Sequence, residues 1–527
     1  MYKNAERFMS RFKLFSITLV ILLTLDSCQS RQTIWNPVES TINEIQDALI
    51  LGEITCRNLV SIYLRRIETY DKPNGINAIT VINSQALEKA DRLDRLLESG
   101  DPLPELFCIP IIVKDNFDTH DMVTTGGSVV LRDSYPPDDA FMVRKLRDAG
   151  AIIIAKSNMA EWAFSPRETV SSSFGRTANA YDINFVPAGS SGGTASAVAA
   201  NFAVAGMGSD TGNSIRGPSS HLALFGIRST LGLTSRDGII PLIFDRDVAG
   251  PMARSVEDGV KLFNVVAGYD PNDSLSVPDV RDIDYRESLN LDGLRDRRIG
   301  VFSPLVYQDK ADPQIKQLFF EALDDMRSGG ALIIDSVVIE DFDILIDEIN
   351  SCGSFRYDLK QYLETLDEPP LFDVSLVLKS GQFAKESRDA LEFFAQFPLD
   401  VSPDEREQPC VTWPNNLLRN QLLENTIKAM DENNLDALVY PSWSNPPAHI
   451  DNADEEYLGD NSQILVPAAG LPAMTIPMGF WQDKLPAGIQ VVGRPYSEAG
   501  LIEISYGYEQ ITRHRRPPEG FPPLGSR

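Results

Sequence analysis

The chain has 527 residues, with 75 Asp and Glu against 48 Lys and Arg, a formal net charge of −27. A polyphosphate backbone is held by clustered Lys and Arg, so this balance argues against nucleic-acid binding. Hydrophobic residues make up 43% and charged residues 23%, a globular composition long enough for several ordinary domains or one unusually large one.

Residues 1–27 read as a targeting segment rather than as part of the fold. Lys3, Arg7, Arg11 and Lys13 precede the apolar run Leu14–Leu25. That run is well short of the roughly 20 residues needed to span a bilayer, and has the proportions of a secretory signal. Leu25-Asp26-Ser27-Cys28 resembles the bacterial lipobox, although Asp26 is unusual in that pattern. The mature chain is expected to start at a lipidated Cys28, outside the cytoplasm, facing the periplasm or the cell surface. An uncleaved apolar anchor is the alternative. The lipid anchor would be the protein's sole membrane contact.

From Ser40 to Asp71 apolar residues recur at spacings of three and four, which predicts two helices separated at Gly52, the second capped by Thr55. Leu106–Val113 and Ala151–Ala155 are short, apolar and β-branched, as buried strands are, and Asp139–Ala149 between them reads as a helix. Strand, helix, strand predicts an α/β body on a largely parallel, covered sheet. Thr194–Gly206 is composed of small residues and reads as a tightly packed helix. Residues from about 300 to 440 read as a helical insertion able to cap a cleft, with helices at Gln314–Met326 and Leu417–Met430. Strand-like runs return at Ala437–Tyr440 and Ala473–Pro477.

Cys56, Cys108, Cys352 and Cys410 are scattered without a CxxC pair and read as buried free thiols. His120, His221, His449 and His514 lie far apart with no HExxH, which predicts no metal site. Two glycine patterns fail as phosphate cradles. In Gly150–Ser157 the second glycine is replaced by Ala155 and the middle is an apolar strand. Gly206–Gly212 has one residue too many for a dinucleotide fingerprint.

Chemistry concentrates in Pro187–Pro218, PAGSSGGTASAVAANFAVAGMGSDTGNSIRGP, where two turns rich in Gly and Ser flank the small-residue segment. Glycines beside a serine leave backbone N–H groups free to converge on an oxyanion, which points to a serine hydrolase. Gly189-Ser190-Ser191-Gly192-Gly193 satisfies the G-x-S-x-G elbow, which would make Ser191 the nucleophile with His449 or His514 as base.

The same region resembles the amidase signature family. Further matching blocks are IPIIVKDNFD (Ile109–Asp118), TTGGS (Thr124–Ser128), Asp139–Ser165, Ser235–Gly259, Val466–Pro477 and Leu485–Pro495. The resemblance spans about residues 40–518, loosely over 270–435, and implies one large domain, a mixed β-sheet wrapped by helices. It implies a Ser-cisSer-Lys triad of Ser214 as nucleophile, Ser190 as bridge and Lys114 as base. Backbone amides of Thr211, Gly212, Asn213 and Ser214 would hold the oxyanion, with Asp210 and Arg216 as scaffold. No cofactor is implied. The substrate would be a small-molecule or peptide amide, cleaved to a carboxylic acid and ammonia or an amine. The blocks SRDGIIP and AGPMARSVED resemble the peptide-amidase-like branch, with a fatty-acid-amide activity equally open; the sequence sets no oligomeric state. Three departures stand out: Ala188 and Asn213 each replace a family glycine, and GIRST (Gly226–Thr230) replaces the commoner GLKPT. A non-catalytic binding lipoprotein on the same scaffold is the remaining alternative.

Overall fold

A computed structural model describes residues 35–278, 283–350, 352–371 and 373–525. The expected signal segment 1–27 and Cys28 lie outside them. The chain divides into two units, residues 1–36 and 37–527, and the second carries the helices and strands of the fold.

The two early helices form as their spacing predicts, Ile42–Ile50 and Cys56–Tyr70. Thr41 and Glu44 close a reciprocal capping box on the first, and the Thr55 side chain accepts from Asn58 N on the second. Strands follow in the order β1 (Ile79–Ile82), β2 (Pro110–Lys114), β3 (Ile152–Ser157), β4 (Thr169–Ser171), β5 (Gly175–Thr177), β6 (Ala205–Asp210), β7 (Phe225–Arg228) and β8 (Val248–Ala253). They continue with β9 (Arg298–Phe302), β10 (Leu332–Val337), β11 (Ala437–Pro441), β12 (Ala473–Trp481) and β13 (Leu485–Val492). Apart from the β4–β5 hairpin they make one 11-stranded sheet in the order β1-β3-β2-β6-β8-β7-β12-β13-β11-β9-β10. β3-β2-β6 and β11-β9-β10 are parallel runs, and the remaining pairings are antiparallel. The sheet is therefore mixed, as the family resemblance implies, and not the largely parallel one that the strand-helix-strand pattern predicts, because β8, β7, β12 and β13 pair antiparallel through its centre. Every residue of β2, β3, β6 and β8 is buried, the signature of strands covered on both faces.

Three expectations are corrected. The helix expected over Thr194–Gly206 runs from Gly192 to Ala199, and Ala205 already begins β6. Asn201 at φ 59° breaks the helix, a conformation that Asn tolerates better than most residues. The remaining small residues serve a strand instead: a Cβ on Gly206 would lie 2.5 Å from Thr194 Cγ2, so helix and strand touch closely. Residues 300–440 are not wholly helical either. β9 and β10 extend the sheet at its far edge, and the helices Pro313–Ser328, Phe355–Leu363 and Leu417–Glu432 lie between and beyond them. Within this region Phe355, Leu359, Tyr362 and Leu363 pack on Leu131, Trp162 and Ile240. The Ile240 carbonyl accepts from Asn116 Nδ2 at 3.3 Å, two residues beyond the end of β2.

Finally, the four cysteines are not free thiols. Cys56–Cys108 and Cys352–Cys410 are disulfides, with Cα–Cα distances of 5.8 and 5.4 Å across 52 and 58 residues of sequence. Scattered spacing gave no sign of this because the pairs meet only through tertiary packing. In the chain-entropy account each closure removes about 4 kcal/mol of unfolded-state freedom. Non-reducing proteolysis is expected to give two cross-linked peptide pairs matching these bonds. Four thiols reacting with maleimide in the unfolded, unreduced protein would contradict both.

Candidate active site

Parallel pairing of β2 with β6, Val113 opposite Met207, brings the ends of both strands together, so Lys114 and Ser209 emerge side by side. Lys114 is fully buried. Its Nζ lies 2.7 Å from Ser190 Oγ, 2.8 Å from Ser209 Oγ and 3.3 Å from Ser209 O. Asn116 Nδ2 donates to the same Ser209 hydroxyl at 3.0 Å. Burial pushes the Lys114 ammonium down to about 7, opposed by the carboxylates of Asp210 and Asp247. A neutral amine has two N–H groups and one lone pair. As an ammonium, Nζ donates to all three of these oxygens; as a neutral amine giving both N–H groups to the Ser209 oxygens, it would turn its lone pair to the Ser190 hydroxyl.

Ser190 sits on the turn leading into the helix Gly192–Ala199, after a cis Gly189–Ser190 peptide bond. Two glycines let this turn lie against its neighbours. A Cβ on Gly189 would meet the Ser165 and Glu168 carbonyl oxygens at 2.4 Å, and one on Gly193 would meet Asn158 O at 2.1 Å. Ala188 stands at φ 62°, in the left-handed region that favours glycine.

The loop after β6 is held by a buried charge cluster. Asp210 accepts from Arg216 Nε at 3.1 Å, Arg228 NH1 at 2.9 Å and Ile215 N at 3.1 Å. Burial would raise this carboxyl, but the two guanidinium groups hold it at about 2. Arg216 also reaches Gln490 on β13 at 2.9 Å. Asp210 and Arg216 are thus scaffold, as the sequence suggests. Ser214 is 5% exposed, and its Oγ donates to Asn213 Oδ1 at 3.4 Å. The N–H groups of Gly212, Asn213 and Ser214 donate to no acceptor among the described residues, so this loop offers free amides. Thr211 is held by its side chain on Asp247, and Asn213 Nδ2 donates to Asp460 Oδ2 at 2.8 Å. Burial pushes Asp460 up to about 8.

Lys114 and Ser190 therefore make direct contact, while no hydrogen bond joins Ser190 to Ser214. The elbow reading gains no support. Ser191 Oγ donates to Ser209 O at 3.2 Å, whereas His449 pairs with Glu456 and His514 with Asp325. His120, Asp121 and Asp139 are grouped closely enough to suggest a metal, but Lys89 and Arg147 already pair with Asp121, and Arg147 with Asp139. Ser209, Asn116, Asp247 and Asp460 were not singled out from sequence. Ser209 had a usable signal, standing next to Asp210 in the family block; Asp460 had none, lying far from any motif.

The scaffold can be probed at two positions. Asp210→Asn leaves two buried guanidinium groups without their counter-charge and is expected to lower unfolding free energy by about 3–5 kcal/mol in urea titration. Ala188→Gly relieves a left-handed alanine and is expected to raise it by about 0.5–1 kcal/mol. An unchanged midpoint in either case contradicts the corresponding argument.

The sequence model of the Amidase family matches residues 58–502. A component of the glutamyl-tRNA(Gln) amidotransferase of Acinetobacter baumannii is 34% identical over 484 residues, covering 90% of this chain and 96% of that protein. A probable amidase of Arabidopsis thaliana is 30% identical over 502 residues, covering 91% of each. Among solved structures, the native peptide amidase of Stenotrophomonas maltophilia superposes with a TM-score of 0.78 at 31% identity, covering 91% of this chain and 98% of that one. With its large mixed sheet and this family match over most of its length, the chain belongs to the amidase signature family of amide-hydrolysing enzymes.

Proposed function

We propose that the protein is an extracytoplasmic amidase that cleaves a small-molecule or peptide carboxamide through Ser214, with Ser190 as relay and Lys114 as base. The observation that carries this reading is the buried Lys114 amine, poised at about 7 and 2.7 Å from the Ser190 hydroxyl. A hydroxyl is a weak nucleophile until a base takes its proton, and an ammonium cannot be that base. As Ser214 Oγ bonds to the carbonyl carbon, its proton passes to Ser190 Oγ and the Ser190 proton to Lys114 Nζ. The carbonyl oxygen becomes an oxyanion facing the loop amides of Thr211–Ser214. Collapse breaks the C–N bond, and the departing amine takes a proton back from Lys114 through Ser190. Water then cleaves acyl-Ser214 by the same route in reverse.

The peptide-amidase likeness favours a terminal carboxamide as substrate. The net charge of −27 disfavours a tRNA-linked one. Two disulfides in one chain support an oxidising compartment, in keeping with the targeting segment. Membrane-fraction protein is expected to begin at a diacylglyceryl-modified Cys28; a mature chain that retains residues 1–27 would contradict the lipoprotein reading.

A fluorophosphonate is expected to label Ser214, identified by peptide mapping, and to leave Ser191 free; an adduct on Ser191 would sink the scheme. Ser214→Ala and Lys114→Ala should each lower kcat by roughly a thousandfold or more. Because the reactive Lys114 is the neutral one, kcat/KM should rise with pH through about 7 and then level off. A profile that falls across this range would contradict Lys114 as base.

A further inference from the structure

Asn213 stands where the family pattern has glycine, so its side chain is a feature of this chain. Its Nδ2 faces two oxygens, Asp460 Oδ2 at 2.8 Å and Pro166 O at 3.2 Å. The Pro166 carbonyl can only accept, which fixes the carboxamide with its nitrogen on that side. Oδ1 is thereby turned onto Ser214 Oγ, 3.4 Å away. Hydrogen bonds between oxygens usually close to about 2.5–3.0 Å, so this is a weak contact, and it is the one side-chain acceptor of the Ser214 hydroxyl among the described residues.

Asp460 is itself held firmly. Tyr457 OH donates to Oδ2 at 2.9 Å. The next residue, Asn461, donates to Leu305 O and Pro441 O at 2.9 Å and to Ser444 Oγ at 2.8 Å. Ser462 N donates to Ser442 O at 3.1 Å. The segment is thus pinned to the end of β11, 247 residues beyond Asn213 in the chain.

We propose that Asp460 is a positioning residue that acts through the Asn213 carboxamide to orient the Ser214 hydroxyl. The proposal rests on Ser214 being the nucleophile. The competing arrangement uses the other Asp460 oxygen, Oδ1, which is buried without a hydrogen-bond partner and could meet a substrate directly.

The test is a double-mutant cycle on the full protein, read as the second-order inactivation rate with a short-chain fluorophosphonate, a probe that carries no amide. Asp460→Ala is expected to slow inactivation about tenfold, whereas in the Asn213→Gly background the same substitution should change it less than about twofold. Asp460→Asn keeps the shape and an acceptor oxygen, and should stay within about threefold of wild type. That variant also keeps the test decisive if Asp460→Ala does not fold, since a loss beyond about tenfold in Asp460→Asn would overturn the proposal. Equal losses in both backgrounds, no loss, or a faster rate in Asp460→Ala would overturn it as well. Absence of any Ser214 adduct in wild type would instead overturn the triad reading beneath it.

Discussion

Everything at the site depends on keeping one lysine out of water. An ammonium at the end of a central strand loses its hydration, and the three oxygens of Ser190 and Ser209, with the nearby carboxylates of Asp210 and Asp247, compensate it in part. That balance brings the titration of the amine down to about 7, so that ammonium and neutral amine are both well populated near physiological pH. The breadth of the sheet and its covering helices are what make such burial possible: β2 lies third from the edge, flanked by β3 and β6 and hidden on both faces.

The Asp210 cluster braces a loop whose Gly212, Asn213 and Ser214 amides are left without an acceptor among the described residues. A backbone with unpaired N–H groups would collapse onto any nearby acceptor unless held open from behind. Asp210 braces the loop by gathering Arg216, Arg228 and the Ile215 amide. A buried charged group is expensive unless paired, and here the pairing also fixes geometry.

Much of this architecture was legible in the sequence, for identifiable reasons. Apolar β-branched runs marked β2 and β3, and helical spacing with Thr caps marked the first helices. The strand β6 escaped because AGMGSD has little intrinsic strand preference; it is a strand because β2 and β8 flank it. The disulfides escaped because their partners meet only after the chain has folded. The candidate site could be read from the sequence where its residues are local, as in Ser190 and the run Asp210–Arg216. It was hidden where a side chain arrives from far away, as Asp460 and Gln490 do.

Those distant contacts have a consequence for synthesis. The loop carrying Ser214 is complete once about two-fifths of the chain has been made, yet its braces on Asp460 and on β13 come from about the last seventy residues. A partly synthesised chain can hold the Ser214 segment but not the frame that shapes it. The loop around Ser214 therefore takes its final shape late, when the last strands add to the sheet.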